Sequence, residues 1–164
     1  MADKTSFTKD EWILLLRSPM NAGMAITAAE PSGLWGLLKE SFAGSAELAH
    51  AATDPNANPL IRAVVSDFMS GDGRAVARDG LKAEFANSKP AEMKTKAIDS
   101  LRQVAAVLAA KAPGDAAAFK AWLRQISQKT AEAASEGGSL FGGGVQVSDA
   151  EKATLGEISS ALGV

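Results

Sequence analysis

The chain has no cysteine, no tyrosine and a single histidine among its 164 residues. Without cysteine there can be no disulfide, no thiolate metal site and no cysteine nucleophile. The lone His50 has neither a second histidine for metal binding nor a nucleophile placed beside it by any motif, so a triad-type hydrolase has nothing to build on. Clustered positive charge is also missing. The 17 Lys and Arg stand against 19 Asp and Glu for a net charge of −2, which argues against a nucleic-acid partner, because phosphate neutralisation needs a basic patch. No long hydrophobic run occurs. The most apolar stretch, WILLLRSPMNAGMAITAA, is interrupted by Arg17, Ser18, Pro19 and Asn21, whereas a membrane span needs about 20 mostly apolar residues. The opening MADKTSFTKDEW carries acids early and lacks the apolar core of a signal peptide, so the expected location is the cytoplasm.

Aromatic residues are few (six Phe, three Trp), and alanine is abundant. Alanine loses no side-chain entropy in a helix and lets helices approach closely. The expected fold is therefore all-α: a single domain over 1–164, formed as a compact bundle of seven or eight helices.

Helix boundaries can be read from their punctuation. Thr8 and Glu11 form a capping box that opens a helix at Lys9, and the run from Trp12 to Leu16 is apolar on every side, which predicts burial on more than one face. Ser18-Pro19 has two readings: Ser capping a new helix with Pro at its first position, or Pro kinking one long helix that runs to about Glu30. Further helices are expected over 34–52, 57–70 and 74–86. The second of these carries Leu60, Ile61, Val64, Val65 and Phe68, and Ser70-Gly71-Asp72-Gly73 forms the break before the third, which is weakened by Gly80. Ser88, with Pro90 and Glu92, opens a helix to Lys111 whose stripe is Met93, Ala97, Leu101, Val104 and Leu108. After a Pro113-Gly114-Asp115 turn, a helix to Ser135 is expected to bury Phe119, Trp122, Ile126 and Ala133. A second capping box, Ser148 with Glu151, opens a last helix to Leu162.

The glycine-rich SEGGSLFGGGVQVSDAEK at 135–152 lacks the Lys-Ser/Thr of a phosphate loop and follows no strand. It reads as a helix stop at Gly137 or Gly138 and an entry to the Ser148 cap, with Leu140 and Phe141 pinning the loop. Asp67, Asp72 and Asp79 fit no EF-hand register, and Asp72 reads as a cap or turn residue. The three tryptophans lie in apolar stripes and read as core. Ala22, Gly23, Ala25 and Ala29 would admit a neighbouring helix closely, either inside the monomer or across an interface.

The stretches AAEPSGLWG (28–36) and ASEGGSLFG (134–142) echo one another, matching Ala28, Glu30, Leu34 and Gly36 to Ala134, Glu136, Leu140 and Gly142. This suggests a duplicated helix–loop–helix unit related by a pseudo-twofold axis. Together with the C-terminal VQVSDAEKATLGEISSALGV, the pattern resembles the TerB-like helical domains of tellurite resistance. That resemblance implies an all-helical repeat, a stress-related setting and a role in binding rather than catalysis. It also implies a divalent cation held by acids at the helix-connecting turns, which here would be Glu30, Glu136, Asp149 and Glu151. Elementary chemistry gives two of these acids another task. Glu151 sits where a capping-box acid folds back on Ser148, and Asp149 suits the positive end of a helix.

Two functions are therefore expected to compete, with no catalytic residue assigned. The first is a non-enzymatic helical domain acting through a protein partner or self-association, without a cofactor. The second is a binding module for a divalent cation or small anion that uses the loops at 30–34 and 136–149.

Overall fold

A computed structural model describes residues 2–29, 46–137 and 147–164, and leaves aside the side chains of 46, 47 and 134–137. The glycine loop beyond Gly137, the turn after Ala29 and nearly all of the internal echo lie outside these residues. The regular elements among the described residues are all helical, with no strand among them. A 3-10 turn at Lys4–Ser6 leads into α1 (Lys9–Ala29). It is followed by α2 (Ala46–Thr53), α3 (Pro59–Met69), α4 (Gly71–Phe85), α5 (Pro90–Lys111), α6 (Pro113–Gly137) and α7 (Asp149–Leu162).

α1 is the axle of the bundle. It packs most extensively on α5, then on α6, and also touches α3, α4 and α7. Its sequence explains this position, because Trp12, Leu14, Leu15, Leu16, Ala22, Ala25 and Ile26 spread apolar side chains over most of its circumference and all are buried. The Thr8–Glu11 box forms as its spacing requires: Thr8 N–H donates to Glu11 Oε2 at 2.7 Å, and Glu11 N–H donates to Thr8 Oγ1 at 3.3 Å. Of the two readings of Ser18-Pro19, a single helix containing Pro19 is found. Ala22, Gly23 and Ala25 are buried within the chain itself, and Ser127 of α6 comes near enough to donate to the Ala22 carbonyl at 2.9 Å.

The other helices surround this axle, and all contribute to one continuous apolar cluster. In α3, Leu60, Ile61, Val64, Val65 and Phe68 are buried, as their spacing predicts, and Asn58 caps the helix by accepting from Leu60 N–H. Phe119, Trp122 and Ile126 of α6 are buried as expected, but Ala133 is exposed and Ala131, two residues earlier, is the alanine in the core.

Three boundaries also differ. The break at Ser70-Gly71-Asp72-Gly73 is present but narrows to Ser70, which ends α3 and caps α4 at once, its hydroxyl donating to the Asp67 carbonyl and accepting from Gly73 N–H at 3.0 Å. Pro113-Gly114-Asp115 is likewise the first turn of α6, separated from α5 by Ala112. α5 is capped at Lys89, one residue after Ser88, with Glu92 accepting from Lys89 N–H at 2.7 Å.

Candidate functional site

The four acids proposed for a cation fare differently. Glu30 lies outside the described residues, and Glu136 lies in the last turn of α6 with its side chain outside them. Asp149 is fully exposed in the first turn of α7, 3.9 Å from Lys152 Nζ. Glu151 is 5% exposed, and its carboxylate accepts from Ser148 N–H at 2.9 Å while its own N–H donates to Ser148 Oγ at 3.2 Å. That reciprocal pair opens α7 and occupies the acid. Among the described residues, no three His, Asp or Glu gather as a metal site.

One concavity among the described residues lies elsewhere. A groove of about 290 Å³ opens between the start of α1 and the α3–α4 corner. Phe7, Trp12, Ile13, Leu16 and Val76 line it, and Lys4, Lys9, Asp67 and Asp72 stand among its polar residues. Trp12 and Phe7 stack at a tilt, ring centres 5.8 Å apart. Trp12 Nε1 donates to Asp67 Oδ2 at 2.6 Å, and Lys4 Nζ donates to the same oxygen at 2.8 Å while lying 5.9 Å from the Trp12 ring centre. Burial pushes the Asp67 carboxyl toward neutrality. Hydrogen bonds from Lys4 and Trp12, the Lys4 charge and the Ser70 hydroxyl outweigh that push, so Asp67 is held below the usual carboxylate range. Trp12 was legible as a core residue; that its indole N–H is spoken for by a carboxylate 55 positions away was not.

Asp115 plays a similar part at the other end of α3. Its Oδ2 accepts from Ala2 N–H at 3.0 Å and its Oδ1 accepts from Asn58 Nδ2 at 2.9 Å. The Ala2 hydrogen bond lowers its pKa most, burial opposes this, and Asn58 adds to the lowering. Both acids are thus structural acceptors held in the ionised form. His50 is exposed near the end of α2.

A second concentration of polar groups, Arg17, Asn21, Glu84 and Ser100, lies between α1, α4 and α5. The sequence contained one signal for it: Arg17 and Asn21 are polar residues four apart, which puts them on one face of an otherwise apolar helix. No model of a known protein family matches this chain, and no curated protein or solved structure is found to be similar to it.

Proposed function

We propose that this chain is a non-enzymatic helical binding domain that holds an apolar side chain of a protein partner, or of a second copy, in the Trp12 groove. The observation that carries the reading is the groove itself, in which the buried Phe7, Trp12 and Leu16 form an apolar floor and Val76, 38% exposed, is open to solvent. Its volume lies at the lower edge of the roughly 300–1,000 Å³ typical of ligand pockets, which suits one bulky side chain better than a whole cofactor. The state of the acids supports the non-enzymatic part. A catalytic acid or base is tuned toward working pH, whereas Asp67 and Asp115 move the other way and serve as interhelical acceptors. The resemblance of the C-terminal helix–loop–helix to TerB-like domains supports a stress-related setting for the same module.

The test uses free indole as a probe, with amide chemical shifts of the full chain as the readout. Saturable shifts centred on Phe7, Trp12 and Val76, and lost in Val76→Glu, are expected. Shifts scattered over the surface, or none at millimolar probe, would refute the groove as the binding locus. Sedimentation equilibrium of the wild type and Val76→Glu then separates the two occupants, because self-association through this groove would be weakened by the variant.

A further inference from the structure

The four charged residues of the Trp12 groove, Lys4, Lys9, Asp67 and Asp72, cancel formally but not in effect. Asp67 is committed to the fold: Trp12 Nε1 and Lys4 Nζ both donate to its Oδ2, at 2.6 and 2.8 Å, so it and Lys4 neutralise one another. Asp72 stands in the first turn of α4, where the partial positive charge of a helix N-terminus offsets an acid. Lys9 has no such compensation. It is the exposed first residue of α1, so its ammonium adds to the positive end of that helix, and it forms no ion pair among the described residues. Asp10 and Glu11 share its turn, but neither lines the groove, and Glu11 folds back on Thr8.

We propose that the protein segment held in the groove carries a carboxylate beside its apolar side chain, and that Lys9 receives it. The proposal rests on the groove being a binding site for such a side chain. The complement follows charge by charge. A carboxylate at Lys9 meets an unpaired ammonium and the start of a helix, both favourable to it, whereas a cation there meets both as repulsion. On the α4 side a carboxylate would face Asp72, so the charges also set the direction in which the segment lies.

Three probes that share one ring test this on the full chain at neutral pH and low ionic strength: indole, indole-3-propionate and tryptamine, followed by amide chemical shifts. Indole-3-propionate is expected to bind roughly two- to five-fold more tightly than indole, the range of an exposed ion pair, while tryptamine gains nothing. The gain should shrink as salt is added and vanish in Lys9→Gln. That substitution takes a cation away from a helix N-terminus, so the melting temperature is expected to stay level or rise. Equal affinity for all three probes, with shifts still centred on Trp12, would overturn the acidic partner and leave the groove reading standing. No binding of indole itself would remove both. A gain that survives in Lys9→Gln, or a preference for tryptamine, would also overturn the proposal.

A lipid also joins an apolar group to an anion, but a groove of about 290 Å³ suits one side chain better than an acyl chain. Acetylated and amidated Glu-Trp and Trp-Glu dipeptides are therefore expected to displace indole-3-propionate, and phosphatidylglycerol vesicles are expected not to co-sediment with the chain. Vesicle binding without displacement by either dipeptide would overturn the assignment to a protein segment.

Discussion

The hydroxyl of Ser18 donates to the carbonyl of Leu15 at 2.7 Å, and that carbonyl is the one Pro19 leaves without a backbone donor. A proline inside a helix removes the bond from its own nitrogen to the carbonyl four residues earlier. Ser18 is fully buried, so no solvent reaches in to compensate, and the side chain next to the proline takes over the role of the missing N–H.

Ser18→Ala is therefore expected to destabilise by about 1–3 kcal/mol, the cost of leaving a buried acceptor unpaired. In a Pro19→Ala background the backbone bond returns and the loss shrinks. A double-mutant cycle by urea unfolding checks this. Equal losses in both backgrounds would mean that the serine does not serve the orphaned carbonyl.

The α3–α4 corner tolerates one glycine substitution and refuses another. A Cβ on Gly73 would lie 1.9 Å from the Asp67 carbonyl oxygen, so Gly73→Ala has to pry the two helices apart and is expected to cost about 3 kcal/mol. Nothing lies within 4 Å of the same atom on Gly71, where Ala is expected to be neutral or to stabilise by up to about 1 kcal/mol. Thermal melts of the two variants provide the comparison.

Gly80 is a third case. Its nearest neighbours to an added Cβ are Ile13 Cγ2 at 3.5 Å and Arg17 Cδ at 3.6 Å, which is ordinary contact. Gly80→Ala is expected to raise stability by about 0.5–1 kcal/mol through helix propensity. A loss would show that α1 and α4 are packed more closely than these distances state.

Asp67 and Asp115 set an acid limit. Each has its folded pKa depressed, so its stabilisation is present above the unfolded value of about 3.9 and is lost as pH falls through the lower, folded value. Unfolding free energy is expected to drop most steeply below about pH 4. Asp67→Asn with Asp115→Asn should lower stability at neutral pH and flatten that acid slope. An unchanged slope would assign the acid sensitivity to other groups.

Chelation bears on the competing cation reading. The Glu151 carboxylate is engaged by its own helix and Asp149 faces solvent, so EDTA is expected to leave the melting temperature unchanged. A saturating cation would add about 2.7 kcal/mol at 100 times its dissociation constant, a rise of several degrees. Such a rise on adding Ca²⁺, if lost in Asp149→Asn, would favour the cation reading instead.

Elements governed by local rules were legible in the sequence. The Thr8–Glu11 and Ser148–Glu151 boxes are backbone and side-chain geometry within four residues, and the stripe of α3 follows from helical period alone. Much of what escaped depended on contacts outside the local pattern, some of them far along the chain. Ser70-Gly71-Asp72-Gly73 carries every mark of a break and the break comes at Ser70, but the pattern does not reveal that the Asp67 carbonyl occupies the space a side chain on Gly73 would need. The groove joins residues 4–16 to 67–76, and the buried polar group joins Arg17 and Asn21 to Glu84 and Ser100, separations that no local pattern encodes. Lys89 took the cap expected of Ser88 because Glu92 lies three residues after Lys89, the distance at which its carboxylate meets the cap N–H.

The position of α1 at the centre also has a consequence in time. During synthesis this largely apolar helix leaves the ribosome while its largest contact surfaces, α5 and α6, are still to be made. Its Ala22 carbonyl waits for Ser127, 105 residues later. A helical protein is ordinarily a fast folder because its contacts are near in sequence, and here the governing contacts are distant. An apolar helix is therefore left without its α6 partner for as long as it takes to make about a hundred more residues, several seconds at the usual rate, and transiently exposed apolar surface of this kind is what favours aggregation over folding.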